Sequence, residues 1–399
     1  MPVKPQVEPI PIPAPPTLLI EPTPSTTEHS MRSGALLNSH DDIWQRVRDN
    51  YQLDNNINNQ RIDAQLNWYK SHQKYLNRVS SRASRYMYFI MEQIEVRHIP
   101  AEIALLPIVE SAFDPFAYSH GRASGVWQFI PSTGRAYNLQ QDWWFDGRRD
   151  IRQSTIAALK FLKGLSREFK GDWMLALAAY NSGAGTVRKA IRKNKKRGLP
   201  VDFWSLSLPK ETKAYVPKLL GLARLVADPA KYGITLPKID NKPYFAVIKT
   251  GSQMDLSQAA QMADVDLEEI YKLNPQYNQW STNPNGPHEI LVPVSKQALI
   301  LKNLKNLPAN QRIKWQRYKV VAGDSLSSIS NKFHTTAQAL KQVNPLQGSV
   351  IKINDMLLIP TAFNKLSSYT YSANNRLSKK QKNTRGPKGS TRISHRVKA

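Results

Sequence analysis

The sequence predicts a mainly α-helical domain followed by two small α+β modules, each ordered strand, helix, helix, strand. Three observations carry that expectation. From Ile43 to Leu225 apolar residues recur at spacings of three and four, the period of helices with one buried face. Beyond Pro237 the texture changes to short β-like runs separated by short helical ones. Those runs also repeat. A shift of 70 residues aligns Leu256-Ser257 with Leu326-Ser327, Ile270 with Leu340, and Leu273-Asn274-Pro275 with Val343-Asn344-Pro345. At slightly different offsets, Tyr244 and Val247 match Tyr318 and Val321, and Ile290-Leu291-Val292-Pro293 matches Leu357-Leu358-Ile359-Pro360.

Taken in order, residues 1–40 form a leader in which Pro recurs every two or three positions up to Pro24, so it reads as extended and disordered. It has neither the basic start nor the continuous apolar segment of a secretory signal. Asp41-Asp42-Ile43-Trp44 opens the helical domain, expected over 41–238. Gln65 to Val96 is helical in composition, with Trp68, Tyr69, Leu76, Tyr86, Tyr88, Phe89, Ile90 and Ile94 as core. Pro100 starts the next helix, where its missing N–H costs little, and Pro107 should kink it. Ser119 to Gly134 is too rich in Gly and Ser for a regular helix over its first half and reads as a loop or short hairpin holding Trp127, Gln128 and Phe129, with Pro131 opening the next helix. Ser154 to Phe169 carries the stripe Ile156, Leu159, Leu162, Leu165 and Phe169. Asp172 caps a short apolar helix, Trp173 to Tyr180, that ends at Asn181-Ser182-Gly183-Ala184-Gly185, where Gly supplies a left-handed C-cap. Glu211 to Ala227 is the last helix of the domain. The modules are expected over 241–295 and 317–361, and a basic disordered tail over 362–399.

Composition bounds the function. At 399 residues the chain exceeds one ordinary core, and no apolar run is long enough to cross a bilayer. The absence of cysteine excludes disulfides, thiolate metal sites and a cysteine nucleophile. His40, His98 and His120 are scattered without ligand spacing, so neither a metal nor a cofactor is expected. The net charge of +26 is partly local: Lys365 to Lys398 carries ten Lys/Arg and no acid. Such a tail binds polyanions, with anionic membrane or wall polymers as its expected partners. A nucleic-acid reading lacks the interleaved aromatic and basic residues of a recognition surface. The run from Arg188 to Arg197 is read as either a second such patch or a solvated surface.

The chemistry centres on Leu106-Pro107-Ile108-Val109-Glu110-Ser111. In a helix opening near Pro100, Ile103, Leu106 and Glu110 share one otherwise apolar face. A carboxyl there resists ionisation and can remain a proton donor near neutral pH. The alternative is a Glu at a helix end, satisfied by Ser111 or by backbone. Asp114, Asp142, Asp146 and Asp150 lie in polar, exposed-looking contexts, with Asp114 a turn cap. Trp143-Trp144-Phe145 offers a flat surface for a sugar, although core packing is the stronger reading.

Glu110-Ser111, Gly125-Val126-Trp127-Gln128-Phe129 and Ala179-Tyr180-Asn181 occur in that order. The set resembles the lysozyme-like lytic transglycosylases of the soluble lytic transglycosylase type, over residues 85–230. Trp127 departs from the Met often found before the Gln, a departure shared with the D-type subgroup. The repeats look like LysM modules: the second fits through Gly323-Asp324-Ser325-Leu326, whereas the first lacks that turn and looks degenerate. A helical domain followed by such repeats is the D-type layout. The resemblance implies a lysozyme-like fold, peptidoglycan glycan strands as the partner, and non-hydrolytic cleavage between N-acetylmuramic acid and N-acetylglucosamine that leaves 1,6-anhydro ends. It makes Glu110 the acid and then the base, with Ser111, Gly125, Trp127, Gln128, Phe129, Tyr180, Asn181 and Tyr215 holding substrate. Four of them have a plainer reading: a local cap for Ser111, amide satisfaction for Gln128, core packing for Tyr180 and Tyr215. Two other functions compete, a goose-type-lysozyme-like hydrolase and a non-catalytic wall-binding protein. The implied substrate lies outside the cytoplasmic membrane, so a cell-envelope location, periplasmic or outer-membrane-associated, is expected although no export signal is visible.

Overall fold

The structure, a computed structural model, describes residues 41–361 other than 120, 143, 310, 311, 313, 334–336, 338, 339, 342, 343, 345 and 347. The expectations for the leader and the tail, and those for His40, His120 and Trp143, lie outside the described residues.

The helical part opens with α1 (Ile43–Asp49), capped by the Asp42 carboxylate. It continues with α2 (Gln60–Lys70), α3 (Gln73–Ala83) and α4 (Met87–Glu95), so the single helical stretch expected from composition is broken twice. Trp68 is 43% exposed rather than core. The inward position of α2 belongs to Tyr69, while Trp68 stacks on His72 with ring centroids 4.1 Å apart. Tyr88 and Phe89 are only half-buried.

The helix expected from Pro100 is two elements. A 3-10 turn, Ala101–Leu105, passes into α5 (Leu106–Ser111). Pro107 therefore sits in the first turn of a new helix, where its absent N–H removes no internal bond, and no mid-helix kink arises. After α6 (Pro131–Ala136) comes α7 (Ile151–Glu168), capped by Asp150, whose carboxylate accepts from Arg152 N and Gln153 N. Its buried stripe runs through Thr155, Ala158, Leu159 and Leu162; Ile156 lies off that stripe and is 41% exposed. α8 (Trp173–Ser182) is capped by Asp172 as expected. Gly183 has φ +83° but ψ 140°, so the left-handed C-cap is not formed, and α9 (Ala184–Lys195) starts directly after it.

α10 (Lys210–Ala227) is the central helix, burying Tyr215, Val216, Leu219, Leu220, Leu222, Ala223 and Leu225. Gly221 lets it approach α2 closely, since a Cβ there would meet Leu66 N at 2.9 Å. The segment after α10 returns to the start: Ile43 N donates to Ile239 O (2.8 Å) and Trp44 Nε1 to Pro237 O (3.0 Å).

The first repeat is β1 (Phe245–Lys249), α11 (Leu256–Ala263), α12 (Leu267–Leu273) and β2 (Glu289–Pro293), with β1 antiparallel to β2. A helix that the repeat does not predict, α13 (Gln297–Lys305), adds Ile300 and Leu304 to the same core. The second repeat is β3 (Lys314–Lys319), α14 (Leu326–Lys332) and β4 (Met356–Thr361), with β3 antiparallel to β4. Most of its expected second helix lies outside the described residues.

The repeat extends to individual bonds. Asn274 Nδ2 donates to Ile270 O (2.9 Å) and Leu291 O (2.8 Å), and its Oδ1 accepts from Leu291 N (2.8 Å). Asn344 does the same with Leu340 O (2.8 Å), Leu358 O (2.8 Å) and Leu358 N (2.7 Å). In each module one amide ties the helix to the return strand, using groups that burial would otherwise leave unpaired.

Candidate active site

Glu110 stands on the last turn of α5, where the chain leaves helical geometry. Ala112 (φ +51°) and Phe113 (φ +53°) follow it in the left-handed region, uncommon for residues with a Cβ. That turn is held by Ala112 N to Ile108 O (3.1 Å), by Phe113 N to Pro107 O (3.1 Å), and by the fully buried Phe113 ring. The carboxyl faces a cleft of about 570 Å³ lined also by Gln128, Phe129, Tyr180, Asn181, Glu211, Tyr215 and Lys218. Glu110 accepts a hydrogen bond from the Tyr215 hydroxyl. Burial pushes its pKa up to about 7, against the Tyr215 hydrogen bond and Lys218, which lower it, and with Glu211, which raises it. The carboxyl is thus poised to donate and accept a proton near neutral pH.

The other expected residues divide into those at the cleft and those behind it. Tyr180 lines the cleft, donates its hydroxyl to Trp127 O (2.8 Å) and packs on Phe161 with centroids 5.3 Å apart. Asn181 lines it too, its Oδ1 accepting from Thr212 Oγ1 (2.8 Å). Gln128 has φ +51°; its amide donates to Gly125 O (2.8 Å) and Ala117 O (3.3 Å). Phe129 is almost fully buried but contributes to the cleft wall.

Trp127 and Gly125 stand behind the cleft, not in it. The indole of Trp127 is fully buried and donates to Thr155 Oγ1 (2.9 Å), so it is core, and only its carbonyl reaches Tyr180. Gly125 (φ +82°) is required by close approach, because a Cβ would meet Arg148 O at 2.1 Å. Ser111 donates to Pro107 O and Val126 O (both 3.0 Å), joining α5 to the hairpin rather than bonding Glu110.

The expected polar exposure of the aspartates holds only in part. Asp142 is exposed and caps the turn at Trp144 and Phe145. Asp146 and Asp150 are buried, the first because Arg148 grips it with two bonds (2.9 and 2.8 Å), the second as the α7 cap. Trp144 and Phe145 are core residues.

Glu211 and Lys218 went unnoticed in the sequence. They share one face of α10 with Tyr215, at spacings of four and three, and the motif residue Tyr215 could have pointed to both. Glu102 was also missed. It is fully buried, and its carboxylate accepts from Gln52 N (3.1 Å) and Leu53 N (2.8 Å).

Comparison with known proteins agrees with this architecture. Residues 87–200 match the family described as Transglycosylase SLT domain, and with the relative described next this sets the class as a lytic transglycosylase. Residues 244–309 match the family described as Lytic transglycosylase MltD, LysM-like domain, and residues 318–360 match the LysM domain. Membrane-bound lytic murein transglycosylase D of Escherichia coli K12 is 38% identical over 343 residues, covering 82% of this chain and 75% of that protein. A putative tributyltin chloride resistance protein of an Alteromonas species is 34% identical over 204 residues, 51% of this chain and 92% of that one. A solved lytic transglycosylase Slt from Pseudomonas aeruginosa aligns at 24% identity over 37% of this chain and 24% of its own, with a TM-score of 0.30. The chain belongs to the family of membrane-bound lytic murein transglycosylase D. Among the described residues no helix is long and apolar enough to cross a membrane.

Proposed function

We propose that the chain is a peptidoglycan lytic transglycosylase in which Glu110 serves as acid and then as base. The observation that carries this reading is the Glu110 carboxyl itself: enclosed, held by Tyr215, and raised to about 7. Protonated Glu110 gives its proton to the glycosidic oxygen as that bond breaks, and the substrate's N-acetyl oxygen stabilises the oxocarbenium-like carbon. Ionised Glu110 then takes the proton of the sugar's own 6-hydroxyl as that oxygen bonds to the same carbon. No water is consumed, the carboxyl is regenerated, and a 1,6-anhydro-N-acetylmuramic acid end results. Gln128, Tyr180, Asn181 and Phe129 form the substrate-facing wall. Ser111, Gly125 and Trp127 support it from behind.

The unit comprising residues 41–238 is assigned to catalysis, and the module at 317–361 to retention on the glycan. The tail at 362–399 is assigned to anionic membrane or wall polymers, and the location to the periplasmic side of the envelope or the outer membrane. Glu110→Gln tests the catalytic role: murein clearing should fall by about 10²–10⁴-fold with glycan binding retained. Unchanged clearing would leave only a wall-binding function.

A second reading has one observation behind it. Glu211 brings a second carboxylate to the cleft, as a hydrolase with an activated water would need. Glu211→Gln should retain most activity in a transglycosylase and abolish it in such a hydrolase.

A further inference from the structure

A loop between a helix and a strand ordinarily lies in water, because its backbone groups need partners. In the first module every residue from Leu273 to Asn283 is buried, although seven of them, Asn274, Gln276, Asn278, Gln279, Ser281, Thr282 and Asn283, are polar. One side of this loop is zipped to its own module: Thr282 N donates to Met254 O (2.9 Å), Met254 N to Thr282 Oγ1 (2.9 Å) and Leu256 N to Trp280 O (2.9 Å). The other side is fastened to the helical domain. Asp146 N donates to Gln276 O (2.8 Å), Asn278 N to Trp144 O (2.8 Å) and Asn278 Nδ2 to Asp142 O (2.8 Å). The Arg149 guanidinium donates to Asn278 Oδ1. Trp144 and Phe145 enter the core of the module beside Ile248, Met254 and Tyr277, the Phe145 and Tyr277 rings meeting edge-on at 5.8 Å.

The segment so held carries Arg148, and Arg148 holds the hairpin. Its guanidinium, neutralised by Asp146, donates to Arg122 O (2.7 Å) and Phe129 O (3.3 Å) from a buried position. Its aliphatic stem lies where a Cβ on Gly134 would stand, at 3.0 Å, and its own carbonyl lies against Gly125. Both ends of the hairpin that presents Gln128 to the cleft therefore rest on one side chain.

We propose that residues 244–309 are a clamp for the cleft: the buried loop fixes residues 142 and 144–149, and Arg148 of that segment positions the Gln128 hairpin. The inference rests on the reading of the cleft as the glycan site. It makes Asn278 and Arg148 positioning residues that touch no substrate. In full-length protein, Asn278→Ala and Arg148→Lys should each lower kcat on purified murein at least about tenfold, with KM held within about threefold, at a temperature where near-UV circular dichroism shows the fold intact. The double variant should lose little more than the worse single one, because both lie on one path. Arg148→Lys, which keeps the charge facing Asp146, should be milder than Arg148→Ala. A kcat within twofold of the parent in both folded single variants would overturn the clamp, as would loss that only follows the unfolded fraction. Glu110→Gln runs alongside: if it too keeps activity, the reading of the cleft falls; if it alone is inactive, only the clamp falls.

Discussion

The two repeats share a chain path and an asparagine latch, yet their surroundings make them different devices. In the first, the segment after the latch is buried to Asn283 and bonded to the helical domain. In the second, the described residues after Asn344 are largely open, with Val350 70% and Ile353 61% exposed. The first gains further anchors. Arg85 grips Glu269 with three bonds (2.8, 3.1 and 2.7 Å), the Tyr86 hydroxyl donates to Lys272 O (2.7 Å), and Arg152 pairs with Glu289 (3.0 Å). It also contributes Leu273 and Leu291 to the large helical core and receives Phe116, Trp144 and Phe145 into its own. The second module has a separate small core of Val320, Leu326, Ile329, Leu340, Leu357 and Ile359. Repeated sequence thus sets the module fold, while the loop after the latch decides whether that fold is a part of the cleft's scaffold or a separate binding head.

The sharpest way to break this comparison is to empty each core in turn. Trp144→Ala should cost about 3–5 kcal/mol and reduce turnover, because it opens the shared core. Ile329→Ala should cost about 2–5 kcal/mol within the second module alone and leave turnover of soluble glycan unchanged while weakening retention on sacculi. Calorimetry with parallel activity assays checks both. Equal loss of turnover in the two variants would erase the distinction.

The latch sharpens it further. Asn274→Ala and Asn344→Ala remove the same bonds and should each cost about 1–3 kcal/mol. The first should lower the melting temperature of the helical domain as well, and the second should not, which domain-resolved hydrogen exchange can read.

Two smaller effects concern the cleft. Glu110 has a raised pKa, so its protonated form favours the fold, and that contribution is lost as pH rises toward about 7. Glu110→Gln should therefore gain stability relative to the parent between the ordinary carboxylate range and pH 7, by up to about 1.4 kcal/mol per pH unit, and level off above. A pH series of melting curves checks the sign. Tyr215→Phe removes a donor to the carboxylate, so the basic limb of kcat should move to higher pH; Glu211→Gln removes a like charge and should move it lower. The Glu211 shift should be the smaller and should fade in salt, since that side chain is exposed.

Much of this was legible in the chain. The helical class, the modules and Glu110 follow from periodicity, repeat and motif, all carried by residues near one another in sequence. What escaped was tertiary. Glu102 sits in an apolar run as Glu110 does, but Gln52 N and Leu53 N answer its carboxylate, and no local pattern distinguishes a structural buried acid from one facing a cleft. Trp127 belongs to a motif yet lies in the core, because its motif position is met by its carbonyl rather than its ring. The burial of the polar loop from Gln276 to Asn283 depends on partners at Asp142, Trp144, Asp146 and Arg149 that composition does not reveal.

The central claim is that Glu110 needs no second carboxylate because the substrate supplies the nucleophile. Mass spectrometry of glycan ends released from purified murein tests it most directly. The account predicts 1,6-anhydro ends from the parent and from Glu211→Gln alike, and none from Glu110→Gln. Ends heavier by one water, ordinary reducing sugars, formed by the parent and lost in Glu211→Gln would contradict it.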